Sequence, residues 1–277
     1  MTQLSILIPA HNEAEYLGAC LDALFVSNPV VGSVEVIVIA NGCLDATAAI
    51  AKDFAAVAEA KEWSLQVIET AEGGKLNALN LGEAAAQGAV LAYLDADVIV
   101  GPDLMAQIVR VLSEEVPSYA SGTPKVSPAQ SFVTRAYARF WQTLPFLQEG
   151  VPGFGIYAVN RSGRARWAKW PDVISDDTFV RLNFAPSERI SFPGTYRWPM
   201  VEGFANLVRV RRRQDIGVRE IGQYYPELLD NDDPKTPGPN IARRFFSDPV
   251  GFAVYALVAV TTRLPVLRSK SRWARGR

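Results

Sequence analysis

Histidine and cysteine are scarce in this chain of 277 residues, which contains one histidine and two cysteines. Because His11 is the only imidazole, the sequence excludes a Ser-His-Asp triad assembled elsewhere in the chain and any metal site that needs two histidines. Cys20 and Cys43 follow no spacing typical of metal or redox sites. Acid and base catalysis would therefore depend on carboxylates. No charged and then apolar leader precedes the first apolar run, so we expect a cytoplasmic protein.

The chain also lacks net charge and the common dinucleotide fingerprint. Its formal net charge is -1, so no overall field attracts nucleic acid, and we expect no nucleic-acid partner. No Gly-x-Gly-x-x-Gly follows the first apolar run, which argues against a dinucleotide-dependent dehydrogenase. What is present is an ordinary globular composition, with 49% hydrophobic and 21% charged residues. Such a chain forms one large domain with at most a small appendage.

The N-terminal part of the chain alternates short apolar runs with amphipathic segments. The runs rich in Val, Ile and Leu are Leu4 to Ile8, Val34 to Ile39, Leu65 to Ile68 and Val90 to Leu94. Helices are predicted between and after them, at Ala46 to Val57, at Leu76 to Gln87 and beyond Pro102. Repeated units of strand and helix predict an α/β fold with a mostly parallel, doubly wound sheet.

Polar residues follow three of these runs, at the edge where a doubly wound sheet binds its ligands. They are Pro9 to Glu13, Asn41 to Asp45 and Asp95 to Asp97. The sequence therefore predicts one polar crevice at the ends of the first, second and fourth strands. His11 lies there too, but we discount it as a catalyst because no neighbour in the sequence supplies a partner to orient its ring.

Two features of this crevice are typical of phosphate and metal binding. Asp95 and Asp97 are carboxylates separated by one small residue, and Mg²⁺ and Mn²⁺ prefer such oxygen ligands, completed by phosphate oxygens. The alternative is a solvated turn in which Asp97 caps a helix. Gly73-Gly74-Lys75 opens a helix, where backbone amides and a lysine attract phosphate. It is not a Walker loop, and an ordinary turn with an exposed lysine is its alternative.

An acidic cluster follows two tryptophans later in the chain. Its members are Asp172, Asp176 and Asp177, downstream of Trp167 and Trp170. One of these carboxylates is a candidate general base. The alternative is a helix N-terminus with Ser175 or Asp176 as its cap, where the helix dipole favours acidic residues. The tryptophans either stack on sugar rings or belong to the core.

Six short segments occur in an order that is specific over about residues 4 to 185. They are Ile8 to Glu13, Val38 to Thr47, Gly74 to Asn80, Tyr93 to Asp97, Gly153 to Arg161 and Ser175 to Asp177. Together they resemble glycosyltransferase family 2, inverting enzymes that use nucleotide sugars. The resemblance implies an α/β fold of the GT-A type, with a Rossmann-like doubly wound, mostly parallel sheet and a C-terminal helical extension.

The resemblance also implies roles for individual residues. The nucleotide-sugar donor would be bound by Pro9, Ala10, Asn12, Glu13, Asn41, Lys75, Asp95 and Ala96. Asn41 stands where many family members carry an acidic residue that contacts the base, so a preference for UDP over GDP is unsupported. Asp97, with Asp95, would bind Mg²⁺ or Mn²⁺. The acceptor would be bound by Gly153, Phe154, Gly155 and Trp170.

The catalytic acids implied by the resemblance are Asp176 and Asp177, with Asp177 as the base that deprotonates the acceptor hydroxyl. The expected reaction moves a sugar from a nucleotide-diphosphate donor to a glycan or lipid-linked acceptor in cell-envelope or exopolysaccharide synthesis. Single addition is favoured because the Gln-x-x-Arg-Trp pattern of processive members is absent. The alternatives are a sugar nucleotidyltransferase and a non-catalytic nucleotide-sugar or glycan-binding protein. A nucleotidyltransferase usually needs a glycine-rich, basic loop after the first strand, which Pro9 to Glu13 is not.

The domain organisation follows from these segments. We expect a GT-A domain at residues 1–240, with a nucleotide-binding part at about 1–125 and an acceptor part at about 126–240. Beyond Asp215 the chain becomes polar and rich in proline, which predicts a surface loop through Pro226, Pro234, Pro237 and Pro239.

Residues 241–277 are predicted to form an apolar helix with a basic tail. The uncharged stretch Pro249 to Thr262 has 14 residues, too few for the roughly 20 that span a bilayer. The basic residues are Arg263, Arg268, Lys270, Arg272, Arg275 and Arg277. One hypothesis is a helix lying on the inner face of the membrane, with these cations on anionic headgroups. The alternative is a helix packed on the domain.

Overall fold

The structure is a computed structural model that describes residues 2–148, 150–233 and 245–264. The chain divides into two compact units. The sheet unit comprises Met1–Lys125, Gly153–Asp172 and Ser187–Trp198, and the helical unit comprises Val126–Pro152, Val173–Pro186 and Pro199–Arg277. The predicted loop prolines Pro234, Pro237 and Pro239 and the basic tail from Arg268 to Arg277 lie outside the described residues. The assignment of nucleotide and acceptor parts stays a prediction.

Four parallel strands form one half of the sheet. They are β1 (Thr2–Ala10), β2 (Ser33–Asn41), β3 (Ser64–Thr70) and β4 (Val90–Leu94). β1 pairs in parallel with β2 and with β4, and β2 pairs with β3, so the order is β3-β2-β1-β4. β4 is buried at every residue, as expected for a strand covered on both faces. The predicted doubly wound α/β sheet is confirmed, and the strand ends that carry the polar residues share one edge.

The other half of the sheet contains antiparallel pairs. Its strands are β5 (Ile99–Val100), β6 (Tyr119–Val126), β7 (Ile156–Asn160) and β8 (Arg189–Trp198), and the order continues from β4 as β7-β6-β8-β5. β7 pairs antiparallel with β4. β6 and β8 were not predicted, because each contains a proline, Pro124 or Pro193, a residue that argues against a strand in the sequence.

Short helices connect the strands of the sheet unit. They are α1 (Leu17–Phe25), α2 (Thr47–Asp53), α3 (Ala55–Ala60), α4 (Lys75–Ala85), α5 (Leu104–Val111) and, by chain order, α8 (Arg161–Arg164). The predicted helix at Ala46 to Val57 is thus divided into α2 and α3. α4 begins at Lys75, directly after Gly74, as the Gly-Gly-Lys segment predicted.

The helical unit contains the longest described helix. Its elements are α6 (Phe132–Trp141), α7 (Pro145–Gln148), α9 (Asp176–Leu182), α10 (Phe204–Tyr224), a 3₁₀ turn at Pro226–Asn231 and α11 (Pro249–Arg263). The prediction of a surface loop beyond Asp215 is wrong as far as Tyr224, because α10 continues there. Val208, Gly217 and Ile221 of this helix are buried. They are separated by many arginines, so the polar composition of the segment hides its buried face in the sequence.

α11 packs on α6 through aromatic side chains. Phe140 lies 5.5 Å from Phe252 and 5.0 Å from Tyr255 between ring centroids. Asp248 accepts hydrogen bonds from Arg139 at 2.7 and 2.8 Å, and it caps α11 by accepting from the Gly251 amide at 2.9 Å. None of the helices within the described residues is long and apolar enough to cross a membrane.

Candidate functional site

The loops that follow β1 and β2 are joined by short polar side chains. Asn12 adopts a left-handed backbone conformation with φ 50°, which asparagine tolerates, and its Oδ1 accepts the Leu44 amide at 2.6 Å. Thr47 Oγ1 accepts the Glu13 amide at 2.7 Å. Asp45 Oδ2 accepts the Ala14 amide at 3.1 Å. Each bond satisfies a loop amide, so the two loops form one surface.

Asp45 also bonds to the start of α2. Its Oδ1 accepts the amide of Thr47, the first residue of α2, at 3.0 Å. Burial acts to raise the pKa of Asp45, but hydrogen bonds from Thr47 and Ala14 outweigh it and hold the pKa below its ordinary value. The carboxylate therefore stays ionised over the neutral range.

Asn41 is the buried connection between the strand ends and the Gly-Gly-Lys loop. Its Nδ2 donates to the carbonyl oxygens of Ala10 at 2.9 Å and Ile39 at 3.3 Å, and its Oδ1 accepts the Gly74 amide at 2.9 Å. The side-chain orientation follows from these partners, since the carbonyls can only accept and the amide can only donate. Asn41 is 2% exposed. Its role at the nucleotide base stays a prediction, and its contacts are those of a residue that positions the loop.

His11 has a partner that the sequence did not reveal. Its Nδ1 lies 2.6 Å from the carbonyl oxygen of Asn41, so Nδ1 carries the proton in that bond. The reason for discounting His11, that nothing orients its ring, is therefore wrong. The partner was missed because it is a main-chain atom of a neighbouring strand, which is invisible to a search for side-chain pairs.

Lys75 and Asp95 form an ion pair at the end of β4. Lys75 Nζ lies 2.9 Å from Asp95 Oδ1, and the two side chains are 29% and 35% exposed. The Asp95 amide donates to the carbonyl oxygen of Gly155 at 2.8 Å, which fixes the turn that carries the carboxylate. Asp97 is half-buried two residues later, and Ala96 between them is buried. The structure thus brings together the lysine and the first acid of the Asp-x-Asp triplet.

A divalent cation fits this place only with help from a ligand. Within residues 2–148, 150–233 and 245–264, no three or more His, Cys, Asp or Glu side chains are grouped to hold a metal ion. Asp95 and Asp97 provide partly exposed oxygen ligands, as a hard cation requires. The donor set therefore suits Mg²⁺ or Mn²⁺ whose coordination is completed by phosphate oxygens and water.

Packing explains the residue types at the predicted acceptor positions. Gly153 and Gly155 have φ 72° and 79°, and a Cβ on Gly155 would lie 2.9 Å from Trp198. The Phe154 ring packs on Trp198 at 4.8 Å. Trp170 is buried, and its Nε1 donates to Glu83 at 2.8 Å. Acceptor binding by these four residues stays a prediction, and Trp170 has the contacts of a core residue.

The side chain of Glu83 binds Trp170 and two other side chains. Glu83 of α4 accepts from Tyr93 at 2.6 Å and from Arg164 at 2.8 Å, in addition to Trp170. Burial, with the charge of Glu83, raises the pKa of Tyr93 well above its ordinary value. Burial, with the charge of Asp95, also raises the pKa of the Cys20 thiol to about 12, so this cysteine stays protonated.

The acidic pair begins α9 of the helical unit. Asp176 is 7% exposed, whereas Asp177 is half-exposed and its Oδ1 accepts the Thr178 amide at 2.7 Å. The helix N-terminus alternative is therefore correct as local structure, although Ser175 makes no side-chain capping bond. Of the two acids, Asp177 is the one open to a substrate.

α10 supports this pair through residues that the sequence did not identify. Glu220 Oε2 accepts the Ile174 amide at 3.1 Å. A Cβ on Gly217 would lie 2.3 Å from Ser175 Oγ and 3.1 Å from Ile174 Cβ, so a larger residue here would have to displace Ser175 Oγ and press on Ile174. Arg181, at the other end of α9, pairs with Asp232 and Asp233 at 3.0 and 2.6 Å. The glycine inside a helical pattern was the only available signal.

Comparisons with known proteins identify a family and similar sequences. The sequence model described as Glycosyl transferase family 2 matches residues 5–170. Glycosyltransferase AglE of Haloferax volcanii is 36% identical over 94 residues, which are 34% of this chain and 30% of that protein. Putative glycosyltransferase EpsH of Bacillus subtilis is 29% identical over 112 residues, 40% of this chain and 31% of its own. In both cases the chain covers less than a third of the relative.

Solved structures show the same fold. The mannosyltransferase PcManGT from Pyrobaculum calidifontis, in complex with GDP-Man and Mn²⁺, has a TM-score of 0.61 at 21% identity, over 95% of this chain and 76% of that one. Glucosyl-3-phosphoglycerate synthase from Mycobacterium tuberculosis, with Mn²⁺, UDP and glucosyl-3-phosphoglycerate, has a TM-score of 0.50 at 20% identity, over 84% and 82%. These likenesses confirm the GT-A fold. The family model matches more than half of the residues of this chain, so the chain belongs to glycosyl transferase family 2.

Proposed function

We propose that the protein is an inverting glycosyltransferase that moves one sugar from a nucleotide-diphosphate donor to a hydroxyl group of a glycan or lipid-linked acceptor, in cell-envelope or exopolysaccharide synthesis. The use of a nucleotide-diphosphate donor is supported by the charged and polar residues at the end of β4. Lys75 lies 2.9 Å from Asp95, and the Gly74 amide beside it is held by Asn41. A lysine at a helix start and an acidic triplet suit a diphosphate bound with a cation.

The proposed donor site uses the residues at the strand ends, with Mg²⁺ or Mn²⁺ on Asp97 and Asp95. The similar structures that contain Mn²⁺ with a nucleotide or nucleotide sugar support this choice. A divalent cation bound there would offset the negative charge that develops on the leaving diphosphate. Lys75 contributes a second positive charge, and the loops joined by Asn12 and Asp45 give the nucleoside a fixed surface.

In the proposed reaction, Asp177 accepts the proton of the acceptor hydroxyl. The hydroxyl oxygen forms a bond to the anomeric carbon, and the bond from that carbon to the diphosphate oxygen breaks. The nucleoside diphosphate leaves with the bonding electrons, and the configuration at the anomeric carbon is inverted. Support for this role comes from the exposure of Asp177 and from the burial of its neighbour Asp176.

A thermal-shift panel of UDP, GDP and dTDP, with and without Mn²⁺, tests the donor assignment. We expect one base to stabilise the protein only with the metal, by about 2.7 kcal/mol at a hundredfold excess over Kd. Asp97→Ala should abolish the shift, and its melting curve without ligand shows whether the fold is kept. Asp53→Ala removes an exposed acid of α2 and is the matched control. The absence of a shift with every nucleotide would contradict the proposal.

Peripheral membrane contact through residues 241–277 is a further part of this proposal. The large apolar side chains exposed on α11 are Val250, Leu257 and Val260, and exposed Leu264 follows directly after the helix. The spacing of the first three places them along one stripe of the helix. In flotation with vesicles that contain phosphatidylglycerol, we expect binding at low salt that Leu257→Glu with Val260→Glu abolishes. If the wild-type protein stays entirely in the unbound fraction, membrane contact is contradicted.

A further inference from the structure

A cavity of about 810 Å³ lies within the helical unit, between α10 and α11. Its volume is within the range of small-molecule binding sites. Among the described residues that line it are four arginines, Arg211, Arg212, Arg219 and Arg263, and one acid, Asp215. The family match ends at residue 170, so this cavity lies outside the matched region.

Two of the arginines are held in place by other groups of the helical unit. Arg211 pairs with Asp215 at 3.1 Å and donates to the hydroxyl of Tyr255 at 3.1 Å. Arg212 donates to the carbonyl oxygens of Thr261, Thr262 and Leu264 at 2.8 to 3.0 Å. These carbonyls end α11 and need donors, which the guanidinium supplies. The side chains of Arg211 and Arg212 are therefore held in place without a ligand.

The other two arginines are exposed at the cavity. Arg219 belongs to α10 and Arg263 to the last turn of α11. With one aspartate among four arginines, the lining described in the structure has a surplus of positive charge. The continuation of the chain at residues 265–277 adds five basic residues and no acid, so its charge does not complement the cavity.

We propose that this cavity binds a phosphate or diphosphate group. A guanidinium presents two parallel N–H donors that match phosphate oxygens, and Arg219 and Arg263 can offer them here. With the positive charges of Arg211 and Arg212 beside them, the site favours a multiply charged tetrahedral anion over a single carboxylate. Thr262, which also lines the cavity, adds a hydroxyl. The group is carried either by a lipid or by a soluble compound. The proposal does not depend on glycosyl transfer.

Calorimetric titration with inorganic pyrophosphate tests it, with EDTA present and in a Lys75→Ala background that removes the lysine of the donor site. We expect Arg219→Ala with Arg263→Ala to weaken binding by about tenfold or more. Arg135→Ala with Arg209→Ala removes the same charge from exposed positions of the same unit and should bind as the parent does. Arg219→Lys with Arg263→Lys keeps the charge without the fork and should give an intermediate affinity.

Two results would overturn the proposal: no pyrophosphate binding by the parent protein, or equal binding by the cavity variant and its control. Competition identifies the source. Displacement of pyrophosphate by phosphatidylcholine vesicles that contain phosphatidic acid, and not by phosphatidylcholine alone, indicates a lipid phosphate. Retention of pyrophosphate against both vesicles indicates a soluble ligand. Melting curves of each variant without ligand show whether the fold is kept.

Discussion

The strand-end loops of the sheet unit and the acidic-pair segment of the helical unit are held by different kinds of interaction. In the loops, side-chain oxygens and amides of Asn12, Asn41 and Asp45 bond to main-chain groups. In the acidic-pair segment, Gly217 allows α10 to touch residues 174 and 175 directly, and one long carboxylate, Glu220, fixes the Ile174 amide. The first region depends on polar geometry, and the second depends on packing.

This difference indicates how each region fails. Loss of one polar side chain in the loops leaves buried hydrogen-bonding groups unsatisfied. The cost in stability is therefore local, and we expect it to weaken binding of the nucleotide sugar. A larger side chain at the α10 contact displaces a whole segment, so the penalty spreads into stability and into the position of the acids. Variants in the two regions should therefore separate donor binding from turnover.

The largest expected effect is at Asp177, where substitution removes the proposed base without changing size. Asp177→Asn should lower kcat by about 10²- to 10⁴-fold, because the amide cannot accept the acceptor proton. Donor Kd, measured by titration, should stay within about twofold, because the free-energy change at a polar surface position is small.

The control for this variant is Asp172→Asn, at an exposed acid of the same cluster, which should keep full activity. Unchanged kcat in Asp177→Asn would exclude the base role. If the wild-type protein binds donor and transfers no sugar to any acceptor, the non-catalytic alternative gains support.

The sequence predicted these regions unequally. β1, β2 and β4 were readable because a strand buried on both faces is a nearly uninterrupted apolar run. β3 lies partly exposed at the edge of the sheet and was identified from the short run Leu65 to Ile68. The ligand edge followed from topology, and the ion pair of Lys75 with Asp95 agrees with it. The hydrogen bonds of the Asn41 side chain could not be predicted, since its partners are main-chain atoms from three separate segments.

The helical unit was harder for a physical reason. α10 reads as polar because its few buried residues are separated by arginines and other charged residues. Gly217 within it appears in the sequence as a helix breaker, and only the 2.3 Å approach to Ser175 explains it. Tertiary packing decides such elements, and a single sequence does not contain that information.

The second prediction concerns Asn41. Asn41→Ala should destabilise the protein by about 1–3 kcal/mol for each buried group left without its bond, and it should raise donor Kd. Asn41→Asp should also weaken donor binding, because a carboxylate cannot donate to the Ala10 and Ile39 carbonyls.

Base selectivity distinguishes the two roles of Asn41. If it positions the Gly74 loop, UDP and GDP lose affinity by the same factor in both variants. A change in their ratio would show that Asn41 reads the base. Gln66→Ala, at an exposed amide side chain of β3 in the sheet unit, is the control and should change the unfolding free energy by less than about 0.5 kcal/mol.

The third prediction uses two glycines of α10. Gly217→Ala should cost about 1–3 kcal/mol of unfolding free energy and lower kcat, because its methyl group would overlap Ser175 Oγ. Gly222→Ala places a methyl group 3.5 Å from Leu229, an ordinary contact, so helix propensity should stabilise the protein by up to about 1 kcal/mol. Equal effects at the two positions in chemical denaturation would show that the close approach is not rigid.

The smallest expected effect is the pH dependence of the joined loops. The pKa of Asp45 is held below its ordinary value in the folded state, so its contribution is complete above the unfolded pKa of about 3.9 and is lost as pH falls through the lower folded value. Asp45→Asn keeps an acceptor oxygen but cannot ionise. The gap in melting temperature between wild type and variant should therefore be widest near neutral pH and should close below about pH 4. A gap that stays constant down to pH 3 would mean that the charge of Asp45 does not stabilise the loops, and that bond geometry alone joins them.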